Sequence, residues 1–360
     1  MKQKTSFGKS VFLFVLTLTL VLTGCAFPLW ETEAFTVEAA STINVSKLSN
    51  WSKLGSTYYY KKMTSSEKKF YKSLMVTCQK FLVDKDLDAT KTKARIEQPN
   101  GTEKEEVVYC TPMVSATGLS YSAATRVITI FTYSNPQYYF LDNGYLYSTG
   151  RSSSNSTDYS LTIYNAFSKG SVRMKHTKKV MKTLKSWVNK INKRPNTVSK
   201  LTTAHDLICK KVTYGKSKYD QSCYSVFVGK KTVCAGYSSA FIMLSQAAGI
   251  PCLTVTSDVQ VDGEDYSHQW NMAKINGHWY NVDVTWDDLD GQDFGGNTLS
   301  FYYYFLRNDK NFIYDLNYQA EHSYESYYSH YPQSEFSHYG VPKASYDSDV
   351  SYPYTSPGNI

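Results

Sequence analysis

The sequence predicts an α+β fold. A helix opens at a cysteine, a hairpin carries a histidine and an aspartate, and a smaller mixed α/β domain precedes them. Three observations predict this. Val233-Cys234-Ala235-Gly236-Tyr237-Ser238-Ser239-Ala240-Phe241 opens a helical run of small and apolar residues, which Gly249 stops and Pro251 cannot continue. His268–Ile275 and His278–Thr285 alternate like strands around Asn276-Gly277, the strongest short hairpin signal. Upstream, helical and strand-like stretches mix. The chain has 360 residues, enough for two domains at ~100–200 residues each. Its 42% hydrophobic and 19% charged content excludes a disordered protein. A single long apolar run excludes a multi-pass membrane protein. Seven cysteines in this length do not make a disulfide scaffold.

The elements follow in chain order. Lys2, Lys4 and Lys9 precede an uncharged apolar run from Val11 to Leu22. A basic region before such a run is the secretory pattern, and the run is short of the ~20 residues that span a bilayer. It ends in Leu22-Thr23-Gly24-Cys25, which resembles the bacterial lipobox. That resemblance implies a signal peptide over 1–24, a lipid on Cys25, and a cell-surface protein anchored to the membrane. Ordinary cleavage near Val37-Glu38-Ala39, with free secretion, is the alternative. Residues 25–46 are then a tether.

Residues 47–165 form the N-terminal mixed α/β domain. Phe70, Leu74 and Cys78 recur every four residues, so Ser65–Leu82 is a helix. Strands are expected over Glu106–Val114, Arg126–Tyr133 and Tyr138–Leu141, with polar loops at Ser120-Tyr121-Ser122 and from Gly150 to Thr157. No chemistry is evident here. Residues 166–200 are a basic helical connector. Eleven of the 39 basic residues lie between Lys169 and Lys200, a stretch without an acid. The net charge of +8 therefore reflects this segment and the leader. Val180, Leu184, Trp187, Val188 and Ile191 line one face, and Lys178, Lys179, Lys182 and Lys185 occupy others. Those lysines are either a solvated face or a contact with anionic lipid or wall polymer. Nucleic-acid binding is not expected, because no recognisable module accompanies the charge. Residues 201–340 are a second domain, opened by a helix over Thr202–Val212, and the catalytic candidates argued below fall within it. Residues 341–360 are a Tyr/Ser/Pro-rich tail. Thirteen of the 32 tyrosines lie between Tyr302 and Tyr354; Tyr302-Tyr303-Tyr304-Phe305-Leu306 suits a half-buried strand.

The chemistry concentrates around Cys234. In the first turn of a helix, unpaired N–H groups and the positive dipole end favour a thiolate, the nucleophilic form. Cys252–Ser257 is a further strand, followed by a loop over Asp258–Tyr266. A two-residue turn at Asn276-Gly277 pairs Ile275 with His278, so Trp270 faces Asp283 and His268 faces Thr285. His268 and Asp283 are then diagonal neighbours on one face, ~7–8 Å apart between backbones. An imidazole can bridge that gap, with one nitrogen on the carboxylate and the other towards a thiol. A one-residue slip would separate them. An Asp within an apolar strand needs a partner.

Val233-Cys234-Ala235-Gly236-Tyr237, Gly249-Ile250-Pro251-Cys252, His268-Gln269-Trp270-Asn271 and Gly277-His278-Trp279-Tyr280-Asn281-Val282-Asp283-Val284-Thr285-Trp286-Asp287-Asp288 together resemble the transglutaminase-like superfamily. The resemblance is nearest to its secreted bacterial members and the transglutaminase/protease-like cytokinesis group, and it runs from about Thr203 to Tyr339. It implies a papain-like fold with Cys234 as nucleophile, His268 as general base and acid, and Asp283 as orienter. Asn135-Pro136-Gln137-Tyr138-Tyr139-Phe140 also resembles a segment found upstream in such proteins. For the oxyanion, the Cys234 backbone N–H is one donor candidate. Gln221, which resembles the family's upstream polar position, is a second, and Tyr224 is a rival.

Other signals are set aside. Asp287, Asp288, Asp290 and Asp293 lack EF-hand spacing and suit a solvated loop. His322, His330 and His338 recur every eight residues, as in a degenerate repeat. Cys78, Cys110, Cys209, Cys223 and Cys252 are expected to be buried thiols. No metal or cofactor is expected. The sequence thus points to an exported cysteine enzyme acting on amide or peptide carbonyls through a thioester. Its substrate is a protein or peptide, with protease activity favoured over cross-linking. The rival is a catalytically silent surface binding module of the same fold.

Overall fold

The computed structural model describes residues 41–97, 102–142, 152–153, 156–261, 264–288, 302, 304–313 and 331–347. The leader, the lipobox with Cys25, Asp290, Asp293, His322, His330 and the end of the tail lie outside these residues. Among the described residues, no helix is long and apolar enough to cross a membrane.

The N-terminal segment begins with α1 (Tyr58–Lys62) and α2 (Ser65–Val83). Thr64 and Glu67 form a capping box at the start of α2, which satisfies two orphan N–H groups. Next come β1 (Thr90–Glu97), β2 (Glu103–Cys110), β3 (Val114–Thr117) and α3 (Tyr121–Ser134). β4 (Ser152–Ser153), β5 (Ser156–Tyr159) and β6 (Thr162–Ile163) complete two three-stranded sheets, β1-β2-β6 and β3-β5-β4.

Several expectations fail within this segment: the strand over Glu106–Val114 is broken at residues 111–113, and the polar loop from Gly150 to Thr157 holds strand at Ser152–Ser153 and from Ser156 onward. Arg126–Tyr133 is helix, not strand. Ser120 accepts from the Ala123 N–H at 3.2 Å and starts the helix, so Ser120–Ser122 is a cap and first turn rather than a loop. Ala124, Val127, Ile128 and Phe131 then form a buried stripe. Phe131 packs edge-on against Tyr71 of α2 at 5.1 Å. Packing overrides the strand preference of the β-branched residues. Tyr138–Leu141 is a buried turn, bridged only at Leu141 to Ile163.

The basic segment is α4 (Gly170–Asn192). Its stripe of Val180, Leu184, Trp187, Val188 and Ile191 is buried, while Lys178, Lys179, Lys182 and Lys185 are exposed. α5 (Thr197–Cys209) starts five residues earlier than expected, because Asn196 and Ser199 form its capping box. β7 (Thr213–Tyr214), α6 (Cys223–Phe227) and β8 (Lys231–Thr232) lead into α7 (Cys234–Ala247). β7 and β8 pair in parallel. Twelve of the fourteen α7 residues are buried, as expected of a helix apolar on every face.

α7 packs on a five-stranded sheet. Its members are β9 (Cys252–Val261), β10 (Glu264–Ile275), β11 (His278–Val282), β12 (Phe305–Arg307) and β13 (Tyr331–Pro332). The order β12-β11-β10-β9-β13 is antiparallel throughout. Asn276 and Gly277 take φ of 50° and 88°, the left-handed pair of a type I′ turn, and Ile275 pairs with His278 as expected. Of the expected loop over 258–266, the described residues are instead ladder, with Val261 paired to Glu264. β11 ends at Val282, not Thr285; Asp283 caps a short helix, α8 (Val284–Asp287). α9 (Asp309–Ile313) and α10 (Ser334–Tyr339) follow. Beyond them the chain returns, with the Asp309 N–H donating to the Ala344 carbonyl at 2.8 Å. The hydrophobic core is continuous from Val45 to Ala344. At its early end, Ile43 already donates to the carbonyl of Ala247 in α7.

Candidate active site

The helix start sets Cys234. Val233 is extended and precedes it as N-cap, so Cys234 is the first helical residue. Its N–H belongs to the group without an intrahelical acceptor. Gly236 allows this close approach. A Cβ there would lie 1.8 Å from the Thr232 Oγ1, 2.8 Å from the Ser225 Oγ and 2.9 Å from the Asp220 carbonyl. Cys234 is partly exposed, whereas Cys78, Cys110, Cys209, Cys223 and Cys252 are buried free thiols.

His268 and Asp283 meet, although not as a ladder predicts. The register is the expected one, but Asp283 has left the sheet. Its N–H donates to the Tyr304 carbonyl at 2.9 Å. Its Oδ1 accepts from the N–H groups of Thr285 and Trp286 at 3.0 and 3.3 Å. Its Oδ2 is 2.5 Å from the His268 Nε2. The capping role thus fixes the carboxylate and directs its second oxygen at the imidazole. Asp283 is 0% exposed and His268 7%.

Cys234 neighbours His268 and acts on its charge. With Nε2 engaged by Asp283, the other ring nitrogen is left for the sulfur. Burial alone would discharge the imidazole. Asp283 overrides it and Cys234 adds to the effect, raising the His268 pKa from 6.5 to about 10. The Trp286 ring stacks on His268 at 4.5 Å and 6°, and Trp270 lies nearly parallel to it at 6.2 Å. The Ser238 Oγ donates to the Trp270 carbonyl at 3.3 Å, tying α7 to β10.

Two tyrosines lie within electrostatic range of Cys234. Tyr214 pairs with Thr232, two residues before Cys234. Tyr133 comes from α3. Burial is the main cause that raises both hydroxyl pKa values, and the charge of Cys234 contributes to each. Through Tyr133 the N-terminal segment lies within electrostatic range of Cys234, which no local pattern in 47–165 signals.

The secondary candidates resolve differently. The Gln221 amide donates to the Asp220 Oδ1 at 3.3 Å. The residue adjoins the Cys234 helix through the Asp220 carbonyl beside Gly236. The Tyr224 hydroxyl meets the His176 Nδ1 at 2.6 Å and so is directed at α4. Asp287 and Asp288 are 0% and 5% exposed rather than solvated: Asp287 meets His205 and Asp288 accepts from Tyr237. His338, at the end of α10, packs edge-on against Tyr339. No cluster of three ligand-type side chains suited to a metal occurs among the described residues.

Comparison with known proteins bears on these residues. A model of the transglutaminase-like superfamily matches residues 185–284. Kyphoscoliosis peptidase of Mus musculus is 30% identical over 96 residues, 24% of this chain and 14% of that protein. The Homo sapiens protein of that name is 32% identical over 65 residues, 16% of this chain and 10% of that one. The chain thus matches about a seventh or less of these relatives' length. A solved structure from Cytophaga hutchinsonii, provisionally assigned as a cysteine protease, shares 25% identity over 29% of this chain and 37% of that one, with TM-score 0.26. The periplasmic domain of TgpA from Pseudomonas aeruginosa shares 12% identity over 37% of this chain and 55% of that one, with TM-score 0.25. Residues 185–284, which hold Cys234, His268 and Asp283, match the transglutaminase-like superfamily.

Proposed function

We propose that this protein is a cysteine enzyme acting on amide or peptide carbonyls, with hydrolysis of a protein or peptide as its reaction. One observation carries the reading. A partly exposed thiol at a helix start lies beside a buried, hydrogen-bonded His–Asp pair.

The Cys234 thiolate, paired with the His268 imidazolium, attacks the carbonyl carbon and forms an S–C bond. Charge collects on the carbonyl oxygen, where the Cys234 N–H is placed to donate and Gln221 is the second candidate. His268 gives its proton to the departing nitrogen, the C–N bond breaks, and a thioester remains. The now neutral His268 takes a proton from water, which attacks the thioester and releases the acid and the thiolate. Asp283 holds the ring orientation throughout and stabilises its positive charge. A primary amine in place of water would complete transamidation, so the thioester serves either outcome. The triad does not choose between them; the resemblance to secreted bacterial members of the superfamily, and the likeness of a 96-residue stretch to kyphoscoliosis peptidase, favour the peptidase. From the leader and Leu22-Thr23-Gly24-Cys25, we place the enzyme outside the cytoplasm, lipid-anchored at the cell surface.

The test is incubation with a peptide library, with and without a primary amine. New peptide termini that Cys234→Ala abolishes support the peptidase. Amine incorporation identifies a transferase. Neither outcome, with a folded wild-type protein, indicates a binding module.

A further inference from the structure

A second buried histidine stands behind the first. His205 of α5 is 0% exposed. Its Nε2 is 3.2 Å from the Asp287 Oδ2, and its Nδ1 is 3.0 Å from the Asp206 Oδ1. Asp206 also accepts from the Tyr302 hydroxyl at 2.7 Å. The Tyr302 and Phe305 rings enclose the imidazole at 4.9 and 5.2 Å. The reaction above uses none of these groups.

Their place in the chain gives them a purpose. Asp287 is the last residue of α8, and Asp283 caps its start. The Asp287 N–H donates back to the Asp283 carbonyl at 3.3 Å. One residue then clamps both ends of the turn. The Tyr304 carbonyl accepts from the Asp283 N–H at 2.9 Å, and the Tyr304 N–H donates to the Asp287 Oδ1 at 2.9 Å. The Tyr304 ring meets Trp286 edge-on at 5.0 Å, and Trp286 stacks on His268. A four-residue helix has little rigidity of its own. Its orientation comes from what holds its ends.

We infer that His205 and Asp287 are positioning residues, a second His–Asp pair that anchors the far end of the α8 turn and so holds the Asp283 carboxylate on His268. Asp287 has one oxygen on the Tyr304 backbone and the other on His205. Losing the His205 contact lets the carboxylate rotate, which loosens Tyr304 and then Asp283. Burial opposes charge on His205, but Cys209, Asp206 and Asp287 outweigh it and keep its pKa well above the ordinary value. The titratable groups facing it are those three and Tyr302, with Asp288 one contact further. This inference rests on the proposed roles of Cys234, His268 and Asp283, and its test separates the two.

The full chain is examined as wild type, Asp283→Asn, Asp287→Asn, His205→Gln and the double variant Asp283→Asn/Asp287→Asn. Two readouts are taken: the pH profile of Cys234 alkylation by iodoacetamide, and the low-field imidazole N–H resonance of His268. Asp287→Asn and His205→Gln are expected to slow alkylation at neutral pH roughly tenfold and to shift its pH profile towards that of Asp283→Asn. They should also broaden or move the His268 resonance. The double variant should be no slower than Asp283→Asn alone, because the two acids act through one group. Tyr302→Phe removes one hydroxyl and decides the matter if the larger changes unfold the protein; a roughly threefold slowing is expected. Wild-type alkylation rates, pH profile and resonance in these folded variants would overturn the inference. Unselective wild-type alkylation with a resonance that still responds to Asp287→Asn would instead overturn the catalytic reading and leave the positioning intact.

Discussion

Among the described residues stand two Cys–His–Asp groups, and their difference is instructive. At one, Cys234 begins a fourteen-residue helix, is partly exposed, and faces His268 with Asp283 behind it. At the other, Cys209 ends α5, is 1% exposed, and lies 4.0 Å from the His205 Nδ1, with Asp287 at the opposite nitrogen. The residue types are identical. The helix polarity is opposite: a thiolate is favoured at the first residue and disfavoured at the last. Burial pushes the Cys209 thiol up to about 12, although His205 works against this. The composition of a triad therefore does not make a nucleophile. Its place on a helix and its access to solvent do.

The largest expected effect tests this contrast at the first group. Asp283→Asn leaves the shape but removes the charge that orients His268. It should lower turnover and Cys234 alkylation by roughly 10³–10⁴-fold, measured by single-turnover kinetics on any cleaved peptide and by timed labelling. A loss below tenfold would show that His268 works without its acid. Next, Gly236→Ala places a methyl against the Thr232 Oγ1 and moves the helix start. It should slow alkylation roughly tenfold and cost about 1–3 kcal/mol in urea unfolding. Unchanged values would mean that the first turn adjusts freely.

A third prediction concerns pH. The His268 pKa is raised in the folded protein, so the folded state binds more protons above pH 6.5. The stability it contributes is fully present below about pH 6.5 and is lost as pH rises through about 10. Chemical unfolding across that window should show stability falling with pH more steeply in wild type than in His268→Gln. Parallel slopes would contradict the charged pair. The smallest effect belongs to the second group. Cys209→Ser buries a hydroxyl in place of a thiol and should cost about 1–3 kcal/mol. It should leave Cys234 labelling within twofold of wild type. A large loss of labelling would mean that the two groups are not chemically distinct.

Much of the first group was legible in the sequence because its signals are local. Cys234 sits between turn and helix signals, and Asn276-Gly277 sets the register of β10 and β11 unaided. The second group was not legible. His205 carries no mark within its helical run, and its partner lies 82 positions away in the chain. Asp287 and Asp288 read as a solvated loop because acids after a strand usually are. Only the turn at Asp283 brings them inside. Arg126–Tyr133 misled for a related reason: its β-branched residues favour a strand, while the Ser120 cap and the packing on α2 impose a helix. Tyr133 comes within electrostatic range of Cys234 only through that tertiary arrangement. The one acidic signal that did not mislead was Asp283, whose isolation among apolar neighbours demanded a buried partner.

The most direct test of the central claim is mass-spectrometric mapping of iodoacetamide labelling at neutral pH. Cys78, Cys110, Cys209, Cys223, Cys234 and Cys252 are followed with time in wild type and His268→Gln. The account predicts that Cys234 labels first, faster than any other by an order of magnitude or more, and that His268→Gln removes the advantage. Labelling of Cys234 at the pace of the buried thiols, or at an unchanged rate in folded His268→Gln, would contradict it.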